Sequence, residues 1–574
     1  MLDRSALESY LFSLAIGLLF VFSLLPVEFI LGQGPYWTTP RCDAMQHVIG
    51  MRYFLADSWH FPLFQTLLIT PPNGVNVIYT DSIPLFALIA KLLRPWLTVH
   101  VNYFGVWFFL TYILQGIAAV FLFRSLGVKG ILPNLGGALI ALSFPPLLAR
   151  FNHAALSGHF FILFALGLYF RIVRQRAFAR LWGWFALLCW LTLFVHAYLT
   201  VMICSVFFAA AAQEGFSSKD AFRKSIVAGV IIAGISGLLM WVSGYFHEMG
   251  TAEQSFGIKS MNLLSPWVPQ RSGLFPAMDR IIDGTGGQAA AFNYLGFGVL
   301  LLLIAALWVG RSEILPTLRK YWGLALVLTG LTLFAVSNRV FFGKWEVLRI
   351  CDSPPLFLQQ FAKSGRFFWP VGYTLMAIGL SVIALRVRRP FNIALILVAA
   401  TLQFVDDGLL RQNVAERARL GNIVSNYSGG CASVSGNQLL VPAEPWRALI
   451  AAHGRLTIIP SFHCTNSPVQ WHVLDLVFNA SASATPVNTT YLARTRGIDC
   501  AQEQAFLHGY ALDQDELLVV FSPPINKAQI FQIQNFDSLC RSFEGGYVCS
   551  RKSGVLEDAD LAVGFSKPLI KRLH

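Results

Sequence analysis

Asp43 is the residue around which chemistry is most readily built. It follows a long apolar run, Leu11 to Leu31, and stands beside Arg41 at the head of an amphipathic stretch. A carboxylate there can serve as general base, or as metal ligand, for a hydroxyl brought to a membrane surface. The same residue can also cap a helix. Asp43-Ala44-Met45-Gln46 fits a capping box, with the carboxylate on the backbone N–H of Gln46. Asp81 lies in the same polar stretch, ahead of Ser82-Ile83-Pro84, where capping the next helix is the simpler role. Asp57, before Ser58-Trp59, reads as a solvated face residue.

Residues of opposite charge come later. Lys363-Ser364-Gly365-Arg366 immediately precedes an apolar run. A guanidinium suits bidentate phosphate recognition, so Arg366 and Lys363 read as a clamp on a lipid-linked phosphate. Attraction to anionic headgroups is the plainer alternative. Arg150, Asn152, His153 and His159 gather between two apolar runs, and His196 sits in a short turn between two more. Ionisable groups beside a membrane cavity are functional candidates by default. The alternative is hydrogen bonding to lipid phosphate. His153 and His159, six apart, lack a metal-ligand spacing. Asn262 heads Met261-Asn262-Leu263-Leu264-Ser265-Pro266, followed by Arg271, Asp279, Arg280 and Asp283. This segment reads either as cover for a lateral opening or as an ordinary connection.

The elements that must position these groups are membrane helices. The chain has 574 residues, 55% hydrophobic and 13% charged, against roughly 25% charged in soluble domains. Mean hydropathy is +0.58. The bilayer is therefore the expected solvent. The net charge of +13 lies in short basic clusters, with no Lys/Arg tract interleaved with aromatics, so nucleic acid is set aside as a partner. Leu11 to Leu31 is long enough to span, and Gly32-Gln33-Gly34-Pro35 follows it rather than a small-residue cleavage site. It reads as a first transmembrane helix, not a signal peptide. Spanning-length runs fall at about 10–32, 101–125, 131–149, 158–173, 181–196, 198–213, 225–246, 293–310, 321–337, 367–385 and 390–405.

Leu181 to Ala212 can be one tilted helix or a hairpin. The hairpin reading, with His196-Ala197-Tyr198 as its turn, puts five basic clusters (Arg124 and Lys129; Arg171 to Arg180; Lys219 to Lys224; Arg311 to Lys320; Arg386 to Arg389) on one side, as the positive-inside rule asks. Loops 33–99, 247–292 and 338–366 and the C-terminal region then lie outside, where a Lys and an Arg at 363 and 366 run against the trend. Seven cysteines (Cys42, Cys351, Cys431, Cys464, Cys500, Cys540, Cys549) also fall outside, where disulfides persist. Seven is odd, so at least one is unpaired, and Cys540–Cys549 is the expected pair. In the first long loop, Ala44 to Ala56 has an interfacial helix pattern, and Trp37, Tyr53, Trp59 and Tyr79 suit the headgroup layer. Pro84 to Leu93 reads as an interfacial helix too short to span.

The expected fold is an all-α polytopic membrane bundle of about eleven transmembrane helices over residues 1–405. A small α/β extracytoplasmic domain follows over 406–574. In that domain Gln438 to Val441, Leu456 to Ile459 and Leu517 to Phe521 read as strands, and Pro445 to His453 and Cys500 to His508 as helices.

Taken together, Asp43-x-x-Gln46-x-x-x-Gly50-x-x-Tyr53-Phe54, Trp59-x-x-Pro62, Pro71-Pro72-x-Gly74, Tyr79-Thr80-Asp81-Ser82-x-Pro84, Arg150-Phe151-Asn152-His153 and Gly158-His159 carry a resemblance. With a long first outer loop and an outward C-terminal domain, residues 1–405 resemble the GT-C superfamily of polytopic membrane glycosyltransferases, in an uncharacterised bacterial branch. The resemblance implies a polyprenyl-phosphate-linked sugar donor, an extracytoplasmic glycan, lipid or protein acceptor, and a place in the bacterial inner membrane. It implies Asp43 as base or metal ligand. Arg366, Lys363, Asp81, Gln46, Arg150, His153, His159, His196 and Asn262 are the expected substrate-binding residues. The cofactor it allows is a divalent cation on Asp43. The chain departs from the family's paired acids, having Cys42-Asp43 instead.

Two readings compete. A transporter or flippase of lipid-linked sugars would carry mid-span charges and related halves, and few of the first and none of the second are present. A non-catalytic scaffold would tolerate substitution of the rim residues.

Overall fold

The computed structural model describes residues 4–96, 101–247, 256–421, 443–466, 469–494, 499–522, 524–543 and 545–556. The chain folds as two compact units. One comprises residues 1–30, 104–239 and 252–418. The other comprises 31–103, 240–251 and 419–574.

The first unit is helical. Every apolar run of the sequence becomes helix, but only eight helices among the described residues are long and apolar enough to cross a membrane. They are Arg4–Leu24, Phe104–Ser125, Ile131–Leu148, Ala154–Gln175, Ala197–Gly215, Lys219–Ser243, Phe297–Lys320 and Ser364–Arg386. Phe391–Asp406 with Gly408–Leu420, bent by 51°, makes a ninth if the pair is one span. The expected count of eleven is thus not met. Phe178–Leu193 and Trp322–Val336 are apolar but have 16 and 15 residues. At 1.5 Å per residue they fall short of a hydrocarbon core of about 30 Å. Apolarity reports the surroundings of a helix, not its length. Many large apolar side chains point outward, such as Leu19, Phe208, Trp308 and Leu333. A surface of that kind is costly in water and ordinary against lipid.

Residues 181–212 fall in two helices, Phe178–Leu193 and Ala197–Gly215. The Cys204 thiol lies 3.4 Å from Cys189 Sγ across the pair. Buried side chains cap helices from a distance. Phe297–Gly310 has no local side-chain cap, yet Asp406 accepts from Phe297 N at 2.7 Å and Gln403 accepts from Val299 N at 3.1 Å. Those bonds satisfy otherwise orphaned N–H groups and tie Phe391–Asp406 to that helix.

The second unit joins the 31–103 segment to the C-terminal region. A four-stranded sheet runs Arg455–Ile459, Glu516–Phe521, Gly546–Ser550, Cys540–Phe543. The first two strands are parallel and the rest antiparallel. Glu516–Phe521 is buried at every position, as its continuous apolar run requires. Both strands expected at 456–459 and 517–521 are present, as are helices Ala443–Ala451 and Cys500–Ala505. The strand expected at 438–441 lies outside the described residues. Cys540–Cys549 is a disulfide between directly opposed strand residues, and Cys464–Cys500 is a second. Cys351 is a free thiol.

Residues 33–99, expected as an appendage of the membrane part, are built into this unit. Thr70 N bonds Val487 O, and Val487 N bonds Leu68 O at 2.9 Å. Arg41 and Asp475 form an ion pair of 2.6 Å at 6% and 0% exposure. The helix Asp43–Ala56 is covered almost all round rather than lying half-wet at an interface. Trp37, Tyr53 and Tyr79 are buried too, and of the four expected headgroup aromatics only Trp59 is exposed. The Tyr53 and Tyr79 hydroxyls donate to Thr485 O and Tyr245 O. An amphipathic pattern reads the same whether its apolar face meets lipid or another part of the chain.

Candidate functional site

Cys42 enters the Asp43–Ala56 helix at φ 58° and is disulfide-bonded. Asp43 is the first helical residue, and no side chain caps the helix. The Gln46 N–H bonds the Cys42 carbonyl instead, at 3.2 Å. The expected capping box is therefore absent. Asp43 remains half-buried, its carboxylate without a hydrogen bond or ion pair among the described residues. Its neighbours Ala44 to Gly50 are all buried.

A short 3-10 turn, Val77–Thr80, is locked onto this helix. The Gln46 amide donates to Tyr79 O at 3.3 Å. His47 Nδ1 bonds Thr80 O at 3.0 Å, and Ser82 Oγ donates to His47 O at 2.9 Å. A Cβ on Gly50 would lie 1.9 Å from Thr80 Oγ1, so only glycine permits the contact. Gln46 thus acts as a positioning residue for the turn. The turn ends at Asp81, which has φ 53° and caps no following helix. A non-glycine residue there is uncommon, and Asp tolerates it better than most. Ile83 at φ 49° continues the strained path into Pro84–Leu93. Asp43 and Asp81 are thereby carried on one rigid piece. Tyr245 lies close by, its phenol pushed up by burial first and then by Tyr79 and Asp81.

Asp57 is not a solvated face residue. Its carboxylate accepts from Ser58 N, His60 Nε2, Thr66 Oγ1 and Leu67 N. Burial opposes its ionisation, but these bonds prevail and hold its pKa below the usual carboxylate range.

The first unit gathers the basic residues. His153 and His196 rings sit 5.2 Å apart. His196 also caps Ala197–Gly215, its Nδ1 accepting from Tyr198 N. Two imidazoles at that separation can share a proton or supply two ligands of a transition-metal site. Tyr198, which sequence reasoning passed over, is the hub. Its ring carries the Arg366 guanidinium at 5.3 Å, and its hydroxyl accepts the Lys363 backbone N–H at 3.0 Å. Phe367 stacks on it, and Phe361 meets it edge-on. Arg366 is 4% exposed, so this cation is held in an aromatic surround. Gly365 makes that possible, since a Cβ there would fall 2.2 Å from Ala291 Cβ.

His159 belongs to a buried relay. Gln115 donates to Tyr373 Oη at 2.9 Å, leaving the hydroxyl proton for His159 Nδ1 at 2.9 Å. The other imidazole nitrogen then carries its own hydrogen. His159 Nε2 and Trp369 Nε1 are buried donors with no partner among the described residues, and the two rings lie 4.2 Å apart. Gln115, a lone amide in an apolar run, was the available sequence signal. Arg150 is buried and donates to Ala290 O at 3.2 Å.

Asn262 does not fit the substrate-binding role. Its amide donates to Gln288 Oε1 and Gly343 O, while its oxygen accepts from Leu264 N and Gly343 N. Both donors and both lone pairs are engaged in shaping the loop.

Residues 445–551 match the DUF6311 C-terminal domain. None of the curated proteins matches the chain. Residues 14–407, well over half of the 574, match the family described as "Domain of unknown function (DUF6311)", and the chain belongs to that family.

Proposed function

We propose that this protein is a membrane glycosyltransferase, moving a sugar from a polyprenyl-phosphate donor to a glycan, lipid or protein acceptor on the extracytoplasmic face of a bacterial inner membrane. The observation that carries the reading is the carboxylate of Asp43, half-exposed and without a partner on a rigid, otherwise buried scaffold. A group so placed can take the proton of an attacking hydroxyl. Separately, Arg366 of the first unit is a buried cation of the type suited to a phosphate, with Lys363 near it in sequence. His159 Nε2 and Trp369 Nε1 are further donors suited to an anion.

Asp43→Asn is expected to abolish sugar transfer while expression and folding stay near normal. As a first-turn acid, Asp43 contributes only about 0.3–1 kcal/mol to its helix, too little for unfolding to explain lost activity. Arg366→Ala is expected to weaken donor binding. Native mass spectrometry of the purified protein, with added polyprenyl-phosphate sugar, reads both. Transfer by Asp43→Asn at the wild-type rate overturns the base assignment, and unchanged donor affinity in Arg366→Ala overturns the clamp.

A further inference from the structure

Two thiols of the first unit lie side by side on a helical hairpin. The helices Phe178–Leu193 and Ala197–Gly215 are joined by only Phe194 to His196 and pack on each other. Cys189 stands seven residues before His196 and Cys204 eight after it. Residues so nearly equidistant from a tight turn come level on antiparallel helices, and the two sulfurs are 3.4 Å apart. A disulfide bond needs about 2.0 Å, a gap that rotation of the two side chains can close. The sulfurs differ in access. Cys189 is fully buried, whereas Cys204 lines a groove of about 490 Å³ between its own helix and Trp322–Val336. The volume is in the range of ligand cavities. Thr200 and Ser205 also line it, but their hydroxyls donate to His196 O at 3.3 Å and Val201 O at 2.8 Å. The rest of the lining is aliphatic, aromatic or glycine. Cys204 Sγ is therefore the reactive atom of the lining, and a second sulfur touches it. Packing alone would be served as well by alanine.

We infer that Cys189 and Cys204 are a redox-active dithiol, oxidised to a disulfide by a lipid-soluble quinone that enters the groove. The step balances between the pair and one quinone. Both S–H bonds break and one S–S bond forms. Two electrons and two protons pass to the quinone oxygens, which gives the hydroquinone. Cys204 meets the oxidant, and Cys189 supplies the second thiol. A groove whose lining is apolar and has no spare hydroxyl donor disfavours a charged oxidant and accepts a neutral ring. The inference is independent of the transferase reading, since it needs neither Asp43 nor Arg366.

The test treats the anaerobically purified protein with a short-chain benzoquinone, fully ring-substituted so that it cannot add to thiols. Remaining thiols are blocked with N-ethylmaleimide in denaturant, and peptides are mapped by mass spectrometry. A link between Cys189 and Cys204 is expected, with one quinone consumed per link by absorbance. Cys351, a free thiol outside the groove lining, is expected to stay open to the maleimide. Cys189→Ser and Cys204→Ser are each expected to abolish the link and the quinone consumption. A Cβ added at Gly330 meets nothing within 4 Å, so leucine there enters the groove without disturbing the fold. Gly330→Leu is expected to slow quinone consumption at least about tenfold, or about 1.4 kcal/mol in barrier. Both thiols open to the maleimide after quinone treatment of the wild type would overturn the dithiol. A wild-type rate in Gly330→Leu overturns the groove as the route. Linking at the same rate by ferricyanide, a charged oxidant, overturns the choice of a quinone.

Discussion

Removing one partner of the Arg41–Asp475 pair is expected to loosen the second unit selectively. The two groups meet at 2.6 Å, with side chains 6% and 0% exposed. In Arg41→Met the Asp475 carboxylate stays buried and loses this counter-charge, and breaking a buried pair costs about 3–5 kcal/mol. At about 1.4 kcal/mol per factor of ten, opening becomes roughly a hundred- to several-thousand-fold more frequent. Hydrogen exchange by mass spectrometry reads this at amides of Val469–Ser483, which carries Asp475, and of Asp43–Ala56, which begins just after Arg41. Amides of Phe104–Ser125, in the first unit, serve as the internal reference. The double variant Arg41→Met/Asp475→Leu removes both charges and is expected to recover most of the loss, because an apolar pair often matches a buried ion pair. Single variants that exchange within about threefold of wild type would refute the reasoning. A double variant as loose as the worse single would show that packing, not charge, is the source.

The same unit is expected to weaken in mild acid. Burial holds His463 down to about 4, and burial together with Arg41 holds His472 down to about 4, below the ordinary 6.5. The unfolded chain then binds more protons than the folded one between those values. Stability is full above about 6.5 and falls as pH drops toward 4, by up to about 3 kcal/mol per histidine. A melting temperature flat from pH 7 to 4.5 would contradict this. Gly50→Ala places a Cβ 1.9 Å from Thr80 Oγ1 and 2.6 Å from Ser82 Oγ, forcing the Asp81 turn away from the helix. Overpacking of this kind costs about 1–3 kcal/mol. A displacement near 1 Å at a reacting group can cost on the order of a hundredfold in rate. Lost transfer with a melting temperature lowered by about 2–4 °C per kcal/mol is the expected result, and wild-type transfer would detach Asp81 from the chemistry.

What the sequence made legible followed from what each signal encodes. Apolar runs located every membrane-type helix, since hydropathy is a local property. They did not give the length of each helix, and Phe178–Leu193 and Trp322–Val336 are apolar without being long, so eight or nine spans among the described residues meet both criteria. Cys540 and Cys549 could be paired because a tight turn separates them, whereas Cys464–Cys500, 36 residues apart, left no such trace. The partnership of 31–103 with the C-terminal region was illegible for a related reason. Arg41 and Asp475 are 434 residues apart, and one sequence holds no record of which distant charges meet. At the candidate site, residue type singled out Asp43, Arg366 and the histidines, all of which are buried or half-buried, but it carried no sign of what each would meet. It mistook Asn262 for a ligand because an amide used for loop geometry looks the same in sequence as one held for substrate. It passed over Tyr198 because aromatic residues are common in this chain, and only contact with Arg366 distinguishes this one. Gly50 and Gly365 teach the converse. Each matters for the close approach it permits, and the atoms that approach, on Thr80 and Ala291, are far away in the sequence.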